Sequence, residues 1–163
     1  MNITIREASD KDFESIWDIF QTVIKTGDTY AFSPSTNKQT AYVSWMPPDK
    51  NTYVAVLNNQ IIGTYFIKPN QPGLGSHVGN AAYMVHPEKH SHGIGKAMAE
   101  HSLAEAKKLG YLAIQFNFVI STNKPAVALW KKMGFQIIGI SPKAFKHTQE
   151  GLIDAYIMHR FID

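Results

Sequence analysis

Val85-His86-Pro87-Glu88-Lys89-His90-Ser91-His92-Gly93-Ile94-Gly95-Lys96 is the stretch that decides the fold, because it joins an apolar strand to a helix through a polar loop. Residues 81–85 are apolar, and Pro87 is expected to end this strand because it has no N–H group to donate. After the loop, residues at helical spacing predict a surface that packs on a sheet. They are Met98, Ala99, Ser102, Ala106 and Leu109.

Two glycines leave the backbone of this loop accessible. Gly93 and Gly95 have no Cβ atoms, so a bulky group can approach the N–H groups that begin the helix without partners. These donors and the positive end of the helix favour an anion such as a phosphate. Glycines before a helix also occur in loops that bind nothing, and both interpretations stay open at this point. The Gly-x-x-x-x-Gly-Lys-Ser/Thr motif is absent, and no third glycine follows at the dinucleotide-binding spacing.

The composition restricts the class of protein. With 163 residues and 44% hydrophobic residues, the chain is long enough for one domain and short for two. Sixteen Lys and Arg residues against 13 Asp and Glu residues give a net charge of +3, which favours small anionic molecules over nucleic acid as partners. The absence of cysteine excludes disulfides and thiolate chemistry, and we predict no metal site. We find no apolar run of signal-peptide or membrane-span length and expect a cytoplasmic protein without a membrane partner.

Periodicity and turn residues predict one domain over residues 1–163, with the element order β-α-α-β-β-β-α-β-α-β-β. This order indicates an α/β layered fold, in which four helices flank a mixed, mostly antiparallel sheet of about seven strands. The predicted strands are 3–7, 53–57, 61–68, 77–85, 112–120, 135–140 and 152–161. The predicted helices begin after Ser9, around Lys38, after the glycine loop that ends near Lys96, and after the turn of residues 121–125, with Pro125 in the first turn of the last helix.

One predicted strand carries amide side chains. Alternation places Leu112, Ile114, Phe116, Phe118 and Ile120 on its apolar face. Gln115 and Asn117 then lie on the opposite face, where Asn117 either bonds neighbouring backbone or faces a polar ligand. A connector between the first two helices carries the aromatic residues Tyr30 and Phe32, which either cover the edge of the sheet or form the wall of a pocket.

Two separated motifs together resemble the GNAT family of N-acetyltransferases. The acyl-CoA loop of that family, Val-x-Pro-x-x-Arg/Gln-Gly-x-Gly-x-Gly/Ala, is matched by Val85, Pro87, Gly93 and Gly95. Its second motif, Asn-x-x-Ala-x-x-Leu-Tyr-x-x-x-Gly-Phe, is matched by Asn123, Ala126, Leu129, Gly134 and Phe135. The predicted element order agrees with this family along essentially the whole chain.

The resemblance implies acetyl-CoA as cosubstrate and assigns roles to these residues. The backbone of Met84 and Val85 would pair with the pantetheine arm, and the Val85 N–H would stabilise the oxyanion. The pyrophosphate would bind the N–H groups of His90, Ser91, His92, Gly93, Ile94, Gly95 and Lys96. Asn123 would contact the arm from the other side, and Trp130 would lie at the same cofactor site.

The sequence departs from the family pattern at two kinds of catalytic position. Trp130 replaces the tyrosine that often protonates the leaving thiolate, and an indole N–H does not titrate usefully. A thiol with a pKa near 8.5 leaves as a thiolate that water can protonate, so the reaction does not require that acid. The strand before the loop has Gly79, Asn80, Ala81 and Ala82 where many relatives have a glutamate. We expect a bound water to take the proton of the amine.

The residues around the expected acceptor site favour a small zwitterion. Residues 79–85 and 115–119 resemble the subgroup that acetylates proline analogues, such as azetidine-2-carboxylate, and related amino acids. By that resemblance Asn80 and Asn117 position the acceptor, and Tyr30, Phe32 and Phe145 wall its pocket. The predicted function is therefore N-acetylation of a small amino or imino acid. A peptide or protein N-acetyltransferase and a non-catalytic acyl-CoA-binding module are the alternatives, and the sequence leaves a homodimer open.

Overall fold

Seven strands form one mixed sheet in the computed structural model, which describes residues 2–163 apart from the side chain of Ser91. The strands are β1 (Thr4–Glu7), β2 (Asn51–Leu57), β3 (Gln60–Pro69), β4 (Val78–Val85), β5 (Ala113–Ile120), β6 (Gln136–His147) and β7 (Gly151–Phe161). The helices are α1 (Phe13–Ile24), α2 (Lys38–Trp45), α3 (Ile94–Lys108) and α4 (Lys124–Lys132). The predicted α/β fold and element order are confirmed.

The sheet divides where its two parallel strands meet. Its strand order is β1-β2-β3-β4-β5-β7-β6, and every neighbouring pair is antiparallel except β4 and β5. Within the described residues, β4 and β5 pair only at Val78 with Ala113 and at Gly79 with Ile114. The two strands therefore diverge beyond Gly79 and leave an opening in the middle of the sheet.

Local sequence explains the hairpin that starts this sheet. Asn58 and Asn59 connect β2 and β3 with φ angles of 50° and 61°. Asparagine tolerates this left-handed conformation, which gives a two-residue turn the twist that antiparallel strands require. The turn pairs Leu57 with Gln60 and Val56 with Ile61, and an irregularity between Ala55 and Val56 then shifts the register of the rest of the hairpin.

Each face of the sheet has its own core. On one face, α1 and α2 bury Ile16, Phe20 and Trp45 against Phe66 and Met84. On the other face, α3 and α4 cover a second cluster with side chains of β4 and β5. That cluster includes Ile94, Met98, Ala106, Ile114, Phe116 and Trp130. Apolar residues that recur at helical spacing in the sequence are therefore buried by the helices in these two cores.

The predicted alternation of β5 is wrong in its second half. A register shift lies between Phe116 and Val119 in the pairing of β5 with β7. As a result Val119 is buried, whereas Phe118 is 40% exposed. Leu112, which precedes the strand, is also exposed. A bulge of this kind adds a residue to one strand and reverses the facing of the residues that follow.

Three further expectations need correction. Leu109 was expected on the buried face of α3, but it follows the last helical residue and is exposed. β6 continues to His147, so Phe145 lies in a strand and not in a loop. Pro87–His92 forms a 3₁₀ helix where a polar loop was expected. In residues 2–163 no helix is both long and apolar enough to cross a membrane.

Candidate active site

The opening between β4 and β5 is part of a cleft of about 1020 Å³. Its walls come from the 28–32 connector, from β4 and β5, and from the first turns of α3 and α4. The cleft continues to the face of the sheet that carries α1 and α2, where Lys50, Phe66 and Lys68 line it. It therefore runs from the start of α3 to the part lined by Lys50, Phe66 and Lys68, which we call the second chamber.

The backbone of β4 presents unpaired groups to this cleft. His86 N–H donates to the Ile62 carbonyl of the β3 side at 2.8 Å. Hydrogen-bonded positions alternate along antiparallel strands, so the backbone of Met84 also pairs with β3. The N–H and carbonyl of Val85 point the other way, into the opening, and pair with no residue that the structure describes. Val85, and not Met84, has backbone groups that can bind a ligand there.

The hydroxyl group of Tyr30 binds the backbone of Tyr83, the next residue of β4 whose backbone groups point into the opening. This hydroxyl donates to the Tyr83 carbonyl and accepts from the Tyr83 N–H at 3.1 Å. Burial raises the pKa of Tyr30 above its usual value, so the phenol stays protonated. The ring stacks on Phe32 with 6.4 Å between centroids. Both aromatic residues line the cleft, and the Tyr30 hydroxyl holds the connector against β4.

Phe145 is not part of the main cleft. It is 6% exposed and lines an adjoining hollow of about 270 Å³, which it shares with Tyr30 and Phe32. Its ring packs edge-on to Phe118 at 6.3 Å. The structure therefore places Phe145 behind the aromatic connector and not at the wall of the cleft itself.

The start of α3 offers free N–H donors. Ala97 N–H makes the first helical bond to the Gly93 carbonyl, so the N–H groups of Ile94, Gly95 and Lys96 have no acceptor within the helix. Gly93 has a φ of 70°, and a Cβ atom there would meet nothing within 4 Å. A Cβ at Gly95 would lie 3.6 Å from Leu129 Cδ2, on the side of the cleft. This backbone can accommodate a pyrophosphate group close to three donors.

The side chains around these donors differ in position. Ile94 is fully buried, so it contributes only its backbone, and Lys96 Nζ lies 3.6 Å from Glu100 Oε1. His90 and His92 are both exposed, and of these two histidines His90 lines the cleft. The backbone of Ser91 lies in the 3₁₀ helix, and its side chain lies outside the described part of the structure.

α4 forms the opposite wall of the cleft. Asn123 caps the helix by accepting from Ala126 N–H at 3.4 Å, and it also lines the cleft. Trp130 is 8% exposed and packs on Tyr83 and Phe116 with centroid distances of 4.8 and 4.5 Å. Its indole lines the cleft without a hydrogen bond to any described residue. Asn123 and Trp130 are thus beside the opening, on the side away from the aromatic connector.

Asn80 and Asn117 both line the cleft, and Gln115 connects them. Asn80 Nδ2 donates to the Gln115 carbonyl at 3.0 Å, which leaves Asn80 Oδ1 without a donor among the described residues. Gln115 Nε2 donates to Asn117 Oδ1 at 3.1 Å, and Asn117 Nδ2 donates to Asn70 Oδ1 at 2.7 Å. Asn80 is therefore the amide with a free acceptor atom, whereas both atoms of the exposed Asn117 amide have partners.

Sequence reasoning missed three charged residues of the cleft. Asp28 follows α1, Lys50 precedes β2 and Lys68 lies near the end of β3. Among the described residues that line the cleft, Asp28 is the only carboxylate. No motif marks these positions, because residues from three separate segments converge here only in the folded sheet. The second chamber of the cleft is therefore positively charged.

Comparisons with known proteins agree with this geometry. The acetyltransferase (GNAT) family model matches residues 13–135. N-acetyltransferase aca1 of Schizosaccharomyces pombe is 32% identical over 158 residues, covering 96% of this chain and 68% of that protein. A GCN5-related N-acetyltransferase from Kribbella flavida is 36% identical, with a TM-score of 0.93 over 98% of this chain and 97% of that one.

A more distant structure shows the same fold. YncA of Salmonella typhimurium, solved with its cofactor acetyl-CoA, is 18% identical, with a TM-score of 0.85 over 100% of this chain and 95% of that chain. The divided sheet, the unpaired Val85 backbone and the free donors of α3 are features of the chain itself that suit an acyl-CoA. The chain therefore belongs to the GNAT family of acetyltransferases, enzymes that take the acetyl group from acetyl-CoA.

Proposed function

We propose that this acetyltransferase acetylates the amine of a small amino acid or imino acid. The observation that carries the proposal is the Asn80 amide, which is held by the Gln115 carbonyl and presents a free oxygen to the cleft. A carbonyl oxygen accepts hydrogen bonds and cannot donate them, so it suits an amine or ammonium group. Asn80 lies on β4, the strand that also carries Val85, and it lines the cleft five residues before Val85. The resemblance of residues 79–85 and 115–119 to the subgroup that acetylates proline analogues supports this choice of acceptor.

The backbone of β4 would orient the reacting groups. Acetyl-CoA supplies a thioester whose carbonyl carbon accepts the amine. The Val85 N–H faces the opening and would donate to the carbonyl oxygen as negative charge develops there, a contribution of about 3 kcal/mol for donors of this type. The N–H groups of Ile94, Gly95 and Lys96 would hold the pyrophosphate at the far end. The described residues would thus bind both ends of the donor.

Proton transfer would use water. Asn80 Oδ1 would help to hold the acceptor in the cleft, on the same strand as the Val85 N–H and five residues before it. As the N–C bond forms and the C–S bond breaks, the amine proton would pass to water and the thiolate would take a proton from water. Trp130 would exclude bulk solvent, because its ring is packed between Tyr83 and Phe116.

The charge of the cleft favours an acceptor that carries a negative group. Lys50 and Lys68 line its second chamber, and Asp28 is the single carboxylate among the described lining residues of the cleft. A polyamine or aminoglycoside would bring further positive charge into this field, whereas a zwitterion brings a carboxylate as well. An amino or imino acid is therefore the favoured class of acceptor.

The direct test is thiol release from acetyl-CoA with a panel of amino acids, imino acids, polyamines and short peptides. We expect turnover with members of the first two classes. Asn80→Ala should lower kcat/KM for the acceptor by ten- to a hundredfold, because one hydrogen bond to a charged group is lost. Asn117→Ala should raise the acceptor KM and leave acetyl-CoA affinity unchanged.

The control for both variants is Gln149→Ala, which removes an exposed amide outside the cleft. Its kinetics should match those of the unsubstituted enzyme. Turnover with peptides alone would contradict the proposed acceptor class and would identify the enzyme as a peptide N-acetyltransferase. An Asn80→Ala enzyme with an unchanged acceptor profile would contradict the role given to the Asn80 oxygen.

A further inference from the structure

Lys50 is held in the second chamber of the cleft by its own contacts. Its ammonium donates to the Ser44 carbonyl near the end of α2 and lies 4.4 Å from the centroid of the Phe66 ring. An ammonium carries three N–H donors, so the bond to Ser44 leaves two for other acceptors. No ion pair joins Lys50 to a carboxylate of the described residues. The Lys50 ammonium is therefore fixed in place by Ser44 and Phe66, and no described carboxylate in contact with it neutralises its charge.

Lys68 lies beside the proposed amine site. It is the register partner of Asn80 across β3 and β4. Antiparallel partners point to the same face, with their Cβ atoms about 5 Å apart, so the Lys68 and Asn80 side chains are neighbours. Lys68 is half-buried and makes no hydrogen bond or ion pair with any residue that the structure describes. The free Asn80 oxygen thus has an unpaired cation next to it.

The two lysines share one environment. The pKa of Lys50 lies below its ordinary value, first because burial disfavours its charge and second because the Lys68 charge is close. Asp49 acts in the opposite direction but more weakly. Two half-buried cations that repel each other and have no carboxylate between them are stabilised by a bound anion.

We infer that Lys50 and Lys68 bind the carboxylate of the acceptor, so that this enzyme selects amines that carry a carboxylate on the adjacent carbon. The inference rests on the proposed function, because it takes the amine to be at Asn80. One strand spacing separates Lys68 from Asn80, which suits an α-amino or α-imino acid, whose two polar groups are attached to the same carbon. Phe66 and Trp45 pack edge-on at 4.8 Å and form a rigid apolar floor under the site.

The kinetic test compares three acceptors that share one ring: azetidine-2-carboxylate, its carboxamide, and azetidine. The unsubstituted enzyme should prefer the carboxylate over the carboxamide by at least tenfold. Lys68→Gln should lower kcat/KM for the carboxylate by ten- to a hundredfold and leave the carboxamide within about threefold. Lys50→Gln should act in the same direction, and Lys68→Arg should retain most of the preference. Lys107→Gln, an exposed lysine of α3, is the matched control.

A binding test separates this inference from the proposed function. Cyclobutanecarboxylate has the carboxylate and no amine, and we expect calorimetry in the presence of CoA to show binding that Lys68→Gln abolishes. That result without turnover of any azetidine compound would support the lysine site and overturn the proposed reaction. Turnover of azetidine-2-carboxylate at the same rate as its carboxamide would overturn the inference, and the proposed reaction would stand. Comparing the ligands on the unsubstituted enzyme decides the matter even where a variant fails to fold.

Discussion

Removal of the Tyr30 hydroxyl tests how the connector is held against the divided sheet. The phenol satisfies the N–H and the carbonyl of Tyr83, two groups on the edge of β4 that no strand pairs. Each hydrogen bond contributes a net 0.5 to 1.5 kcal/mol, and water can partly replace the hydroxyl in the open cleft. Tyr30→Phe should therefore lower the free energy of unfolding by about 2 kcal/mol. For a chain of this length, Tm should fall by roughly 4 to 8 °C.

The matched control is Tyr42→Phe, which removes a hydroxyl that donates to Asp10 Oδ1 at 2.8 Å on the surface. An exposed bond of this kind should contribute less to the free energy of unfolding than the two bonds of Tyr30, because water replaces it readily. Urea denaturation of both variants gives the comparison, and hydrogen exchange locates the effect. The Tyr83 amide should exchange faster in Tyr30→Phe, whereas the Met84 amide, which pairs with β3, should keep its protection. Equal unfolding free energies for the two variants, or an unchanged Tyr83 amide, would refute this reasoning.

Two other predictions concern the start of α3 and the start of α1. Gly95→Val should raise the KM for acetyl-CoA more than tenfold, because its side chain would project toward Leu129 across the cleft. Its thermal stability should be kept, since valine is no worse than glycine in a helix, and Ala104→Val on the exposed face of α3 should leave the KM for acetyl-CoA unchanged. Asp12 accepts two bonds from Arg6 at 2.9 Å, which is the main cause that lowers its pKa to about 2. The stability due to this pair is present above the unfolded pKa near 4 and is lost as pH falls toward 2. Asp12→Asn should therefore be about 1 to 2 kcal/mol less stable at pH 7, allowing for the exposed arginine, and denaturation curves of the two proteins should converge between pH 4 and pH 2; a constant difference across that range would contradict the assignment.

The strand and helix order was predictable from local patterns. Pro87 follows the end of β4, and Gly93 precedes the start of α3. The turn at Asn58 and Asn59 connects the strands of the first hairpin. The unpaired N–H groups at the start of α3 follow from the same local rules, because a helix start without side-chain bulk exposes its first N–H groups. These features depend on residues close together in the chain.

Local sequence patterns did not predict where the pairing between strands is irregular. The shift in β5 between Phe116 and Val119 depends on how β7 pairs with it, and it reverses the exposure of Phe118. The extension of β6 to Phe145 likewise depends on its partner β7 and not on local propensity. Period-two patterns assume an unbroken ladder, so they fail where a strand is bulged by its neighbours.

The sequence alone determined the order of the elements, the donor-binding motifs and the amide pair, because each of these is written in neighbouring residues or in regular spacing. The folded sheet shows that Val85 and not Met84 has free backbone groups, that the Tyr30 hydroxyl binds the backbone of Tyr83, and that Lys68 lies beside Asn80. These facts depend on the register between strands and on which edges remain unpaired. Register is set by the packing of the whole sheet, so the charge around the proposed acceptor site appears only when β3 and β4 are aligned.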